Sequence, residues 1–247
     1  GSSIGVTRKN LQKIGKNTLL EWTFEFSKSA QLFDRIIIST ESNEVYQLIC
    51  KQKMKKQLSY FDSQELDSLL PIQKNIFVHK RSKKLSSPRS LTRDVIISSL
   101  EKMNLNDNDI IVLLQPTCPF RRIDTLDLML NEFKSRKLSS LVSVSRIESP
   151  HPAKCFKIDA DNRIKMKYFS KLSKPRQSLG NFFNVDGEFY IFDYQHLISN
   201  STLITNDSRV FISNNLLNVN IDTNSDLNFA RYLFRENRDL IIHSQSR

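Results

Sequence analysis

Asp109-Ile-Ile-Val-Leu-Leu-Gln115-Pro-Thr-Cys-Pro-Phe-Arg121 holds the clearest structural signal in the chain. Five apolar residues run without a break and stop at a Gln-Pro turn. A short continuous apolar run of this kind predicts a strand buried on both faces, as in parallel sheets. Arg35-Ile-Ile-Ile-Ser39 and Ser140-Leu-Val-Ser-Val144 repeat the pattern. Between such runs lie segments of helical period. Thr18-Leu-Leu-Glu21 reads as a capping box that opens a helix reaching about Ser29. Glu44 to Lys53, Leu91 to Met103 and Asp124 to Lys134 carry the same period. Strands alternating with helices predict an α/β fold with a mainly parallel sheet. Further strands are expected at Phe189–Phe192 and at Asn218–Asp222, then a terminal helix capped within Thr223-Asn-Ser-Asp226.

The composition agrees with a globular chain. It has 247 residues, 39% of them hydrophobic and 26% charged, too apolar for a disordered polymer. No apolar run approaches the ~18 residues of a membrane helix. Cys50, Cys118 and Cys155 are an odd number in unrelated contexts, which suits a reducing, cytoplasmic setting better than a disulfide framework. Lys and Arg number 37 against 26 Asp and Glu, a net charge of +11. Residues 51–100 carry +7 and residues 151–180 carry +6, leaving the remainder near neutral. That excess suits either a solvated surface or an anionic ligand. A nucleic-acid binder is disfavoured, because Lys51–Lys56 has no interleaved aromatics and no binding motif is present.

Three segments carry residue types suited to chemistry. Gly1-Ser-Ser-Ile-Gly5-Val-Thr-Arg8-Lys9-Asn10 joins small residues, whose N–H groups can approach a phosphate, to two cations. An ordinary basic loop reads the same way. In the Gln115-Pro-Thr117 turn, Gln115 offers donor and acceptor at a sheet edge, suited to a nucleobase or a sugar. A stiff connection explains it equally. In Asn220-Ile-Asp222, strand alternation puts two oxygen ligands on one side, a start for Mg²⁺; helix capping is the alternative for Asp222 and Thr223. His151, in Pro150-His-Pro152, suits a turn better than a ligand. Cys118 has no His partner placed by the sequence and reads as a small filler.

Taken in order, these blocks resemble the CMP-sialic acid synthetases, the acylneuraminate cytidylyltransferases. Gly1 to Asn10 is similar to the later part of that family's A-R-x-G-S-K-G-x-P-x-K-N opening. Leu19 to Trp22 and Phe33 to Thr40 match the next blocks. Arg81 to Val95 matches a segment R-P-x-x-L-A-x-D-x-x-S-x-x-D-V through Arg81, Leu85, Thr92, Asp94 and Val95. Leu113 to Arg121 is close to L-L-Q-P-T-S-P-L-R. Arg176-Gln177 resembles R-R-Q, Asp186-Gly187-Glu188 stands at N-G-A, and Asn220 to Asp226 resembles D-I-D-T-x-x-D. The likeness runs from residue 1 to about 235.

The resemblance implies a three-layer α/β fold of the nucleotide-diphospho-sugar transferase type. Residues 1–145 and 184–247 would form the nucleotidyltransferase domain, and 146–183 a β-rich dimerisation arm. The implied reaction joins CTP to a 2-keto sugar acid and releases pyrophosphate with Mg²⁺. Arg8, Lys9 and Asp222 are the implied catalytic residues, and Ser3, Asn10, Arg81 and Thr92 the nucleotide site. Gln115, Thr117, Lys157, Arg176 and Glu188 would meet the acidic sugar, and Asp222 with Asn220 the Mg²⁺. The partners implied are CTP, an acidic sugar and a second copy of the chain, with neither nucleic acid nor membrane. A weakened nucleotide- or sugar-binding relative and a 3-deoxy-manno-octulosonate cytidylyltransferase are the alternatives.

The departures set further expectations. Ile4 stands at a family Lys, a charge-assisted contact of ~1.5–3 kcal/mol. Asn220 stands at an Asp, leaving a neutral ligand beside Asp222. Glu41 stands at an Asp, and Glu188 is expected to meet a different group on the sugar. The Arg and strand that precede the loop in the family pattern are not in the sequence. The expectation is a chain cut at its N-terminus, with the first, central strand of the sheet missing.

Overall fold

The structure is a computed structural model that describes residues 5–50, 67–87, 89–166 and 174–245. Its first half runs β1 (Lys13–Ile14), β2 (Asn17–Thr18), α1 (Leu19–Ser29), β3 (Ile36–Thr40), α2 (Asn43–Ile49), β4 (Ser68–Gln73), β5 (Ile76–Lys80) and α3 (Thr92–Leu100). Then come β6 (Ile110–Leu113), α4 (Ile123–Ser135), β7 (Ser140–Arg146), β8 (Phe156–Ile158), β9 (Ile164–Met166) and β10 (Phe183–Asp193). The chain closes with α5 (Tyr194–Ser199), β11 (Arg209–Ile212), α6 (Asn224–Glu236) and α7 (Arg238–Ser244).

The capping boxes form where the sequence places them. Thr18 Oγ1 accepts the Glu21 amide while the Glu21 carboxylate accepts the Thr18 amide, and Thr223 and Asp226 do the same at α6. Such caps satisfy amides that would otherwise lack helical partners, at about 1 kcal/mol each. Helix α1 then buries Leu19, Trp22 and Phe26.

The strands form two main sheets. One has the order β11-β7-β10-β6, the other β3-β5-β4. The pairs β3–β5 and β11–β7 are parallel, whereas β10 runs antiparallel to both neighbours and β4 antiparallel to β5. Alternation along β10 makes three layers. Phe189 and Ile191 pack with Phe26, Leu126 and Met129 of α1 and α4 on one face. Phe192 packs with Ile96, Leu100 and Leu197 of α3 and α5 on the other. Each fully buried Leu or Phe side chain contributes roughly 1.5–3 kcal/mol.

Two expectations change. β3 and β6 are predicted to be buried on both faces, yet most of their residues are half-buried. Both are edge strands, and both line one cavity, so their side chains are only partly covered. Second, residues 218–222 join no sheet. Ile221 donates a single backbone bond to Thr117 O at 2.8 Å, and its apolar side chain is buried without a strand ladder. Strand β11 and helix α7 are not foreseen in the sequence.

Between Arg146 and Phe183, which still pair across β7 and β10, the described residues 147–166 and 174–182 leave the sheet. Their base is closed by Ile147 N donating to Phe182 O at 2.9 Å. His151 serves as a turn residue: Nδ1 accepts from Ala153 N, and Nε2 lies 3.0 Å from Gly180 O. Beyond it β8 and β9 pair only with each other among the described residues. Phe156, Ile158 and Ile164 of that hairpin are exposed. No helix among the described residues is long and apolar enough to cross a membrane.

Candidate active site

One cavity of about 1240 Å³ runs along the whole of β3 and β6, from residues that precede both strands to the loops after their carboxyl ends. In open α/β sheets ligands bind beyond such strand ends, because the loops there are free to vary while the strands hold them. Arg8, Lys9, Asn10, Arg81, Thr92, Gln115 and Thr117 all line this cavity. They come from four separate stretches of chain, and the fold brings them together. Ser3 and the side chain of Arg176 lie outside the described residues, as does Ile4.

The loop that carries Arg8 and Lys9 is pressed against the Asp222 segment. A Cβ built on Gly5 would sit 2.0 Å from the Asp222 carbonyl oxygen, so only glycine permits the approach. Lys9 Nζ then meets Asp222 Oδ1 at 2.8 Å. Asn220 Nδ2 lies 3.5 Å from Asp222 Oδ2. Arg8 pairs with Glu44 at the exposed rim.

Across the cavity mouth, Arg81 pairs with Glu41. Burial pushes the Glu41 carboxyl up, but the hydrogen bond and charge of Arg81 outweigh it and hold the group below its ordinary value. Arg81 N donates to Thr40 O at 2.9 Å, which ties its loop to the end of β3. Beneath it, His79 is fully buried between Ser39, 2.9 Å from Nδ1, and Asp67, 3.5 Å from Nε2. Burial lowers the His79 pKa against the pull of Asp67.

Arg121 escapes notice in the sequence, where it is only the last residue of the turn block. It is fully buried. Its guanidinium donates to Gln115 O at 2.6 Å, Glu188 O at 2.8 Å and Thr23 Oγ1 at 3.2 Å. The turn that presents Gln115 and Thr117 is therefore pinned from below. A strongly basic residue closing an apolar block, with nothing charged beside it but Arg122, is the signal that could have found it.

Glu188 is not presented to the cavity, contrary to expectation. It is fully buried, and its carboxylate accepts from Ser213 Oγ at 2.7 Å and Asn215 Nδ2 at 2.8 Å. Burial raises its pKa. The tight bulge between Val185 and Tyr190, with Gly187 at φ +80, turns it inward. Lys157 sits on the exposed hairpin and does not line the cavity within this chain. Cys118 is buried and its thiol is pushed up to about 12 by burial, which removes it as a nucleophile.

The metal residues offer little by themselves. Among the described residues no group of three or more His, Cys, Asp or Glu could hold an ion. Asp222 supplies one carboxylate, already in contact with Lys9, and Asn220 turns its amide nitrogen rather than its oxygen toward it. That donor set fits Mg²⁺, which takes one or two carboxylates and draws its other ligands from phosphates and water.

The chain's first 69 residues match the sequence pattern of the cytidylyltransferase family. Over 241 residues it is 22% identical to the pseudaminic acid cytidylyltransferase of Campylobacter jejuni, covering 97% of this chain and 94% of that protein. It is 28% identical over 166 residues to the CMP-N,N'-diacetyllegionaminic acid synthase of Legionella pneumophila, 66% of this chain and 70% of that one. Among solved structures, a CMP:2-keto-3-deoxy-manno-octonic acid synthetase complexed with CTP superposes with a TM-score of 0.58 at 13% identity, covering 95% of both chains. At that identity the likeness concerns the fold.

Proposed function

We propose that this chain, which belongs with the cytidylyltransferases that activate sugar acids, transfers the cytidylyl group of CTP to a 2-keto sugar acid of the nonulosonic type. The pseudaminic and legionaminic enzymes among its relatives support that choice of acid. The observation that carries the reading is the convergence of Arg8, Lys9, Asn10, Arg81, Thr92, Gln115 and Thr117 on one cavity, with Asp222 joined to it through Lys9.

The chemistry follows from charge. The anomeric hydroxyl of the sugar acid attacks the α-phosphorus, and pyrophosphate leaves. Both substrates are anions, so they repel one another and negative charge spreads over the phosphoryl oxygens in the transition state. Arg8 and Lys9 bind the triphosphate and offset that charge. Gln115 and Thr117 orient the sugar by hydrogen bonds, which makes the reaction effectively unimolecular. Asp222 and Asn220 would hold Mg²⁺, which neutralises phosphate charge when bound. Lys9 holds the same Asp222 oxygen in this structure, so Lys9 turns from the carboxylate to the phosphates when the nucleotide enters.

A homodimer fits the exposed Phe156, Ile158 and Ile164 of the hairpin, with Lys157 and Arg176 brought to the partner's substrate. Asn220 supports a second reading, a nucleotide binder with slow turnover, since an amide oxygen holds Mg²⁺ less firmly than a carboxylate. The test is pyrophosphate release from CTP and Mg²⁺ with a panel of pseudaminic, legionaminic, sialic and octulosonic acids. Release with one nonulosonic acid is expected. CTP binding without release in any arm favours the second reading, and release only with the octulosonic acid overturns the choice of sugar.

A further inference from the structure

The turn that presents Gln115 and Thr117 has little means of satisfying its own carbonyls. Pro116 and Pro119 carry no N–H, so the segment cannot form a regular ladder and its carbonyls must take donors from elsewhere. Gln115 O takes Cys118 N at 3.1 Å and the Arg121 guanidinium at 2.6 Å. Three others are met from residues 215–245. Ile221 N donates to Thr117 O at 2.8 Å, Asn215 Nδ2 to Phe120 O at 2.8 Å and Gln245 Nε2 to Pro119 O at 2.6 Å. Gln245 follows α7 directly and is only 6% exposed. Ile241 of α7 is fully buried in the apolar cluster that also holds Phe120, Trp22 and Ile221. Helix α7 thus shares a cluster with Phe120, while the side chain at its C-cap holds Pro119.

We propose that Gln245 is a positioning residue for the sugar acid, acting through the Gln115–Arg121 turn, and that α7 is the strap that carries it. The inference rests on the cytidylyltransferase reading, in which Gln115 and Thr117 meet the sugar. The turn passes on a displacement because it is stiff. Two prolines fix φ, and Arg121 ties its last residue back to Gln115 O. A shift at Pro119 therefore moves Gln115 and Thr117 instead of being absorbed between them. Arg8 and Lys9 stand on a different loop, pressed against the Asp222 segment, and Arg81 stands on a third, tied to Thr40 O. Among the described residues Gln245 bonds to neither loop, so the loss of its donor falls first on the acid and not on the nucleotide. Gln245 also lies beyond the blocks that carry the family resemblance, which end at Asp226. The strap is a feature of this chain's own closing segment.

The test is steady-state kinetics of Gln245→Met, which keeps the length of the side chain and removes its donor. KM for the acid that wild type uses rises roughly tenfold or more, on the scale of the ~100-fold that a 1 Å misplacement can cost, while CTP affinity by calorimetry stays at the wild-type value. Hydrogen exchange of the peptide spanning residues 115–121 gives a reading that needs no turnover. Its amides exchange faster in the variant, whereas those of β4 and β5 in the other sheet do not change. Gln245→Ala serves if the methionine variant fails to fold. A variant whose melting temperature falls while its KM for the acid stays at wild type shows that α7 only stabilises the fold, and overturns the proposal. Equal losses for acid and CTP overturn it too, as does unchanged exchange in the turn. If wild type releases no pyrophosphate with any acid, the activity reading fails by itself, and exchange of the turn still decides whether Gln245 holds it.

Discussion

Arg121→Met should be the most damaging single change away from the cavity surface. The methionine fills similar space but donates nothing. Two buried backbone carbonyls, Gln115 O and Glu188 O, lose their charged donor, and so does Thr23 Oγ1. An unsatisfied buried group costs ~1–3 kcal/mol, so two carbonyls set a scale of ~2–6 kcal/mol. Removing a buried cation returns part of its desolvation cost, but it also strips Glu188 and Asp186 of a neutralising charge. Breaking a buried ionic network from one side commonly costs ~3–5 kcal/mol, and that is the figure expected here. For a chain of this size it lowers the melting temperature by roughly 6–20 °C. Glu188→Gln relieves the orphaned carboxylate. Its folded pKa is raised, so the folded state holds its proton more tightly and loses stability as pH rises past the ordinary value of 4.5. The amide carries no such penalty at neutral pH. Glu188→Gln alone is therefore near neutral, and in the Arg121→Met background it restores part of the loss, a coupling of ~0.5–3 kcal/mol. Thermal and urea unfolding of the four proteins measure the cycle. An Arg121→Met protein that melts with wild type, or a cycle with no coupling, would refute the reasoning.

Other consequences are equally open to measurement. Gly5→Ala forces a Cβ to within 2.0 Å of the Asp222 carbonyl, so the Lys9 loop must withdraw; steady-state assays should show CTP turnover falling by tenfold or more, on the order of the 10²-fold that a 1 Å misplacement can cost. Asn220→Asp adds a charged oxygen ligand next to Asp222, and the Mg²⁺ concentration for half-maximal rate should fall, which a metal titration reads directly. His79 has a folded pKa below its unfolded 6.5, so the unfolded chain binds more protons and stability is lost as pH falls through 6.5 toward the folded value. Melting curves from pH 7.5 down to 5.5 should show that loss in wild type and a smaller one in His79→Gln.

Much of this arrangement is legible in the sequence where local rules govern. The capping boxes at Thr18 and Thr223 and the apolar runs of β3, β6 and β7 are set by neighbours in the chain. Gln115 and Thr117 at a strand end follow from parallel α/β order, whereas their meeting with Arg8 and Lys9 is implied only by the family resemblance. What is not legible depends on contacts between distant residues. Alternation across Asn220-Ile-Asp222 suggests a strand, but Ile221 is buried by Thr117 and the α6 layer without a partner ladder. Glu188 reads as a substrate contact until the bulge at Gly187 turns it toward Ser213 and Asn215. Arg121 looks like a surface residue because nothing nearby in sequence shows the three oxygens that converge on it. Glu41 stands out only as a substitution, and its meaning comes from Arg81, forty residues away.

The central claim is that this cavity forms a bond between the α-phosphorus of CTP and a sugar acid. Phosphorus NMR of CTP, Mg²⁺, the protein and pseudaminic or legionaminic acid tests it most directly. The account predicts one new phosphodiester resonance growing in step with pyrophosphate, only when the acid is present. Release of orthophosphate and CDP instead, or pyrophosphate with CMP and no phosphodiester, would contradict it.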